Sequence, residues 1–240
     1  MTTFRIPKSA FPNSVTSLSL FCGFLSIVNS DNGNLKFAAI LIVLAGIFDT
    51  LDGLAARLVK VASKFGVELD SLADIVSFGA APSFLIYKAY FYQFGPWGII
   101  ASSLPVIFGA FRLARFNVNV EDLTIKKDFT GLPIPLQAAA NCFFIISYYR
   151  DGKIIEPFSY FFLPLVVLLA YLMVSNIRYN ALPKFKDKKL AERIFLISFF
   201  SIALVLVILT DGIVLFYFTI LLVFFGIFRH IFYKFFPISE

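Results

Sequence analysis

The sequence predicts an all-α fold, a polytopic helical bundle embedded in a membrane, and three observations predict it. Apolar residues make up 59% of the 240 and charged residues 15%, against about 45–50% and about 25% in soluble globular chains. Mean hydropathy is +0.85, which leaves too little polar surface to coat a water-soluble globule. Runs such as FFLPLVVLLAYLMV at 161–174 are apolar on every side, which excludes the in-out alternation of a transmembrane β-barrel. Eight spans of about 20 residues need about 160 residues, and the chain has room for them.

Taken in order, residues 1–12 form an interfacial lead-in, with Phe4, Ile6 and Phe11 on an apolar side and Arg5 and Lys8 beside them. They are too polar for a cleavable signal, and no small-residue cleavage site follows the first apolar run. Apolar windows then place spans at about 13–29, 35–58, 66–92, 96–117, 132–149, 157–176, 191–210 and 213–233. Breakers separate them: Asp31-Asn32-Gly33-Asn34, Gly95-Pro96, Asp151-Gly152 and Asp211-Gly212. With no internal repeat and no polar linker, residues 1–240 read as a single membrane domain.

If the spans alternate, those four turns share one side, and only Lys36, Lys88, Arg150 and Lys153 lie near it. The other seventeen of the 21 Lys and Arg, including the 184–193 cluster, fall on the opposite side. The positive-inside rule makes that side cytoplasmic, with both termini inside. Scattered in this way, the net charge of +6 sets topology and touches lipid headgroups; it does not form a nucleic-acid face. Cys22 and Cys142 sit in apolar segments with no Cys/His cluster, which excludes a disulfide framework, a zinc site and a thiol redox centre. His230 is a lone residue near the end of a span and reads as interfacial.

Four acids lie where acids are costly. Asp49 and Asp52 are i, i+3 in span two, and Asp70 and Asp74 are i, i+4 in span three, so each pair shares one helix face. The two spans are antiparallel neighbours joined by residues 59–65, and their acidic faces can meet near the cytoplasmic end. Carboxylates converging in low dielectric repel one another unless cations intervene, and Arg57 alone cannot neutralise four. Hard divalent cations prefer such oxygen ligands; two of them about 4 Å apart clamp a phosphoryl group in transfer. Gly53 and Gly66, one turn from the acids, permit close approach of a ligand or a backbone. Two alternatives weigh less: helix-end ion pairs with Arg57, Lys60 and Lys64, and an ion pathway through a channel or transporter, whose acids would space across the membrane instead of clustering.

Residues 49–74 read D-T-L-D-G-L-A-A-R-L-V-K-V-A-S-K-F-G-V-E-L-D-S-L-A-D. This resembles the signature of the CDP-alcohol phosphatidyltransferase family, D-x2-D-G-x2-A-R-x8-G-x3-D-x3-D, with no fixed position missing. The resemblance implies transfer of a phosphatidyl group from a CDP-linked lipid to an alcohol, with release of CMP, by a metal-dependent homodimer at the cytoplasmic membrane surface. It implies that Asp49, Asp52, Asp70 and Asp74 bind two Mg²⁺ or Mn²⁺ ions and that Asp74 also acts as general base. Gly53 and Arg57, with Ser63 nearby, would contact the CDP diphosphate. Pro12-Asn13-Ser14-Val15-Thr16 resembles the family's opening of the first span, which puts Asn13 and Thr16 at the nucleotide; a Pro-Asn-Ser run also starts a helix simply as a cap.

Two further stretches resemble the serine-using branch of that family. Asp74 is followed by Ser77-Phe78-Gly79 and Ala81-Pro82, and Arg112-Leu113-Ala114-Arg115-Phe116-Asn117 is followed by Phe129-Thr130-Gly131-Leu132-Pro133-Ile134-Pro135. The donor is then CDP-diacylglycerol and the acceptor L-serine, with Ser77, Arg112 and Arg115 as acceptor contacts. Arg112 and Arg115 are i, i+3 and suit a carboxylate, although either also suits a helix end. A phosphorylated acceptor, glycerol 3-phosphate or an inositol phosphate, would need a stronger cationic pocket.

Overall fold

The computed structural model describes residues 10–59, 64–119, 129–179, 210 and 212–235. Helix α1, Ala10–Asp31, turns at Gly33, whose positive φ of 82° suits glycine, into α2, Leu35–Val59. Helix α3, Lys64–Asp74, continues without a break through a π-helical turn at Ile75–Ala80 into α4, Ala81–Ala89. A 3₁₀ turn, Phe91–Phe94, leads to α5, Gly95–Asn119; α6 is Ile134–Tyr148, α7 Phe158–Val174 and α8 Ile213–Phe235.

Among the described residues, five stretches are long and apolar enough to cross a bilayer: Ala10–Asp31, Leu35–Ala55, Phe65–Ala89, Phe91–Val118 and Ile213–Phe232. Helices α6 and α7 have 15 and 17 residues, shorter than the windows expected at 132–149 and 157–176. Pro133 fixes where α6 begins, and an Asp151-Gly152 hairpin, both residues at positive φ, closes its far end. The window 191–210 lies, apart from Thr210, outside the described residues. The fold is helical but not purely so. Strands β1, Phe129–Thr130, and β4, Arg178–Tyr179, pair antiparallel, as do β2, Tyr149–Arg150, and β3, Lys153–Ile154.

Burial is inverted relative to a soluble protein. Phe21, Phe24, Ile40, Ile47, Trp97, Phe224 and Phe228 face outward, whereas Ser19, Ser26, Ser30, Gln137 and Asn141 are inside. Such packing lets backbones approach closely and lets hydroxyls bond across helices. Pro105 interrupts the ladder of α5, and the next amide, Val106 N–H, donates to Ser83 Oγ on α4 at 3.2 Å. An aromatic stack of Phe91, Phe162 and Phe144, with the Phe144 and Phe162 rings 4.4 Å apart, ties the 3₁₀ turn to α7 and α6.

The two ends of the bundle differ. At one end Lys88 pairs with Asp31 at 3.1 Å, and the Gly33–Phe37 and Tyr149–Asp151 segments line a common cleft of about 450 Å³. Two of the turns expected on one side, at 31–34 and 151–152, are therefore neighbours. The acids lie toward the other end.

Candidate active site

The acidic site is built on the hairpin of α2 and α3. Asp49 is ten residues before the end of α2 and Asp74 ten residues after the start of α3. At 1.5 Å per residue, each lies about 15 Å from the connection. Their antiparallel courses, with α1 packed against both helices, thus set them opposite one another, and Asp52 and Asp70 sit about one turn closer to the connection. Their side chains follow: Asp49 and Asp74 are within hydrogen-bonding reach. One carboxylate oxygen from each of Asp49, Asp70 and Asp74 lies within 4.8 Å of the others, and all three residues are half-buried.

Asp52 stands slightly apart from these three. It is buried against the Thr16 side chain of α1, and its Oδ2 has no hydrogen-bond partner. An orphaned carboxylate oxygen beside three clustered acids is the environment a cation relieves, and an all-oxygen donor set suits a hard divalent ion. The residues present therefore fit the metal that the sequence implied. Gly53 opens the site on the side of the connection: a Cβ built there meets nothing within 4 Å.

Arg112 supplies the nearest described positive charge. It is buried on α5, attracts Asp74 electrostatically, and keeps its Nε without a hydrogen-bond partner. Asn117, about one and a half turns past Arg112 on the same helix, donates through Nδ2 to Ser71 Oγ at 3.1 Å. Ser71 lies between Asp70 and Asp74 in sequence, so this bond fastens the acidic segment to α5. Asn117 stood in the sequence motif, but nothing in the sequence showed that its partner was Ser71.

Two expected acceptor contacts are placed elsewhere. Arg115 Nη1 donates to the Val174 carbonyl at 3.0 Å and Nη2 to that of Ser175 at 3.4 Å. It thus satisfies carbonyls at the end of α7, where a cation also meets the negative end of the helix dipole. Gly131, at φ 85°, passes close to both Arg115 and the Met173 carbonyl, which leaves no room for a side chain. Ser77 is fully buried and donates to the Ser19 carbonyl of α1 at 3.0 Å. Its hydroxyl points into a helix interface, away from solvent. Asn13 lies inside the first turns of α1, which begins at Ala10, so Asn13 does not cap the helix. The backbone of Arg57 lies in α2, its side chain is outside the described residues, and so is Ser63.

A helical membrane bundle carrying an all-oxygen acidic cluster between two antiparallel helices defines a class: integral membrane proteins with an acidic centre that could hold a metal ion. Its place within that class is given by the CDP-alcohol phosphatidyltransferase family model, which matches residues 9–172; the chain belongs to this family. It is 41% identical over 204 residues to a CDP-diacylglycerol–serine O-phosphatidyltransferase of Helicobacter pylori strain 26695, covering 84% of this chain and 83% of the relative. The Bacillus subtilis protein of the same name is 36% identical over 184 residues, 76% of this chain and 94% of the relative. An archaetidylserine synthase of Methanothermobacter thermautotrophicus is 40% identical over 172 residues, 71% and 69% of the two chains.

Proposed function

We propose that this protein transfers a phosphatidyl group from CDP-diacylglycerol to the hydroxyl of L-serine, giving phosphatidylserine and CMP. The observation that carries the proposal is the convergence of Asp49, Asp70 and Asp74 from the two halves of the family signature. Relatives named CDP-diacylglycerol–serine O-phosphatidyltransferase at 36–42% identity support the acceptor.

In this reading Asp49, Asp52, Asp70 and Asp74 hold two divalent cations, Mg²⁺ or Mn²⁺. When bound, such ions neutralise charge on the phosphoryl oxygens and on the departing phosphate. Asp74 takes the proton of the serine hydroxyl as its oxygen forms a bond to the phosphatidyl phosphorus. The bond from that phosphorus to the CMP oxygen breaks, and CMP leaves with the electron pair. Gly53 lets the diphosphate approach the backbone, Arg57 and Ser63 bond its oxygens, and Asn13 and Thr16 hold the nucleotide from α1. Arg112, with one face toward Asp74, receives the serine carboxylate. A single committed arginine suits a carboxylate better than a phosphorylated acceptor.

The same reading places eight spans across the cell (cytoplasmic) membrane, both termini and the acidic site at the cytoplasmic face, and two chains in the working unit. The charge asymmetry of the turns supports the orientation, and the family resemblance supports the homodimer. Purified protein given CDP-diacylglycerol, labelled serine and Mn²⁺ is expected to produce lipid-soluble label and CMP in equal amounts. Label entering lipid from glycerol 3-phosphate but not from serine would overturn the acceptor assignment.

A further inference from the structure

Helix α1 contributes no acid to the site, yet it touches both helices that do. Its buried face runs through Pro12, Thr16, Ser19, Cys22, Gly23, Ser26 and Ser30. Ser19 is the point where the two acidic helices are joined. Its Oγ donates to the Ala45 carbonyl of α2 at 3.0 Å, and its own carbonyl accepts the Ser77 hydroxyl, also at 3.0 Å. Ala45 is one helical turn before Asp49, and its carbonyl is the one that the Asp49 amide bonds within the helix. Ser77 is three residues past Asp74, inside the π-helical turn.

Close packing enforces the second bond. A Cβ on Gly23 would stand 2.7 Å from Ser77 Oγ and 2.8 Å from Ser77 Cα, so only glycine lets the π turn lie this close to α1. A π turn contains one more residue per turn than the α-helix around it. It rotates everything beyond it relative to Asp70 and Asp74, and it can slip back to α-helical geometry unless something holds it. Here Ser77 is held.

We propose that Ser19 and Ser77 form a latch that fixes the separation of the Asp49 and Asp74 carboxylates, so that they are positioning residues for the cation site. The latch rests on the reading of that site as a cation site. It contacts neither substrate nor metal and acts through the backbone of α2 and of the π turn. Groups that hydrogen-bond a metal-ligating side chain directly alter metal affinity by about 10–100-fold when removed, and the latch, acting one step further back through the backbone, belongs at the lower end of that range.

The test measures Mn²⁺ binding to purified protein by electron paramagnetic resonance without substrates, alongside thermal unfolding and serine kinetics. Ser77→Ala, Ser19→Ala and the double variant are compared with Ser26→Ala, which removes a buried α1 hydroxyl that has no partner. The expected result is Mn²⁺ affinity about 10-fold weaker in the latch variants and unchanged in Ser26→Ala. Serine KM and the rate at saturating Mn²⁺ should stay within about twofold of the parent. Should Ser77→Ala fail to fold, Ser19→Ala alone carries the comparison. Unchanged Mn²⁺ affinity with a lower unfolding temperature would reduce the pair to packing and overturn the proposal. A raised serine KM with unchanged Mn²⁺ affinity would overturn it in favour of direct acceptor contact by Ser77. If the parent protein itself bound no Mn²⁺, the cation site would fall and the latch with it.

Discussion

Asp74 faces three charged groups of the site: Asp49 across the hairpin, Asp70 one turn away, and Arg112 from α5. Its two proposed roles, ligand and base, both need a carboxylate. Asp74→Asn keeps the shape and removes the charge, and should lower the transfer rate by at least about 100-fold, the contribution typical of a positioned base, while the protein still purifies as a folded bundle. The two arginines of α5 separate by function. Arg112→Ala should raise serine KM with little change in unfolding temperature. Arg115→Ala should do the reverse, removing charge-assisted bonds to the end of α7 at about 1.5–3 kcal/mol. Steady-state kinetics and thermal unfolding on the same preparations check both. A serine KM that rose equally in the two variants would return Arg115 to the acceptor site.

At the scale of elements, much of the site was legible because helix periodicity is rigid. Acids at i, i+3 and i, i+4 must share a face, and a short connection must set two such faces opposite each other; Asp49, Asp70 and Asp74 met as that geometry requires. The Asp151-Gly152 turn was legible because few dipeptides accept two consecutive positive φ values. The π turn at Ile75–Ala80 was not. It inserts a residue without altering hydrophobicity, so no periodic pattern marks it. Nor was the destination of Ser77 or Arg115: spacing gives the face a residue shares, but the neighbour on that face is decided by how other helices dock. Asn117 and Ser71 are 46 positions apart, and only the packed bundle pairs them. Gly23 marks the tightest of these dockings. Gly23→Val forces α1 off the π turn and should destabilise the bundle by about 1–3 kcal/mol, as overpacking does. Gly53→Ala meets open space and should leave stability unchanged while weakening use of the CDP-lipid, which parallel unfolding and donor-titration curves will show.

For the whole molecule, the outward phenylalanines and inward serines place the bundle in lipid, and the acids lie toward one end of it. A lipid donor reaches that end from within a leaflet and a small polar acceptor from water, which removes much of the entropy of their encounter. In the proposed orientation, argued from the charge asymmetry of the turns, that end faces the cytoplasm. Single cysteines replacing Lys153 and Lys127 test it in intact cells: a membrane-impermeant thiol reagent should label the first and reach the second only after permeabilisation. Equal labelling of both before permeabilisation would contradict the orientation.

The central claim is that two neighbouring helices gather their aspartates around divalent cations. Anomalous diffraction at the manganese edge, from crystals grown in saturating Mn²⁺, tests it most directly. The account predicts a peak bounded by Asp49, Asp70 and Asp74 that is lost in Asp74→Asn crystals. Density with no anomalous peak there, or with the only peak at the opposite end beside Asp31 and Asp151, would contradict it.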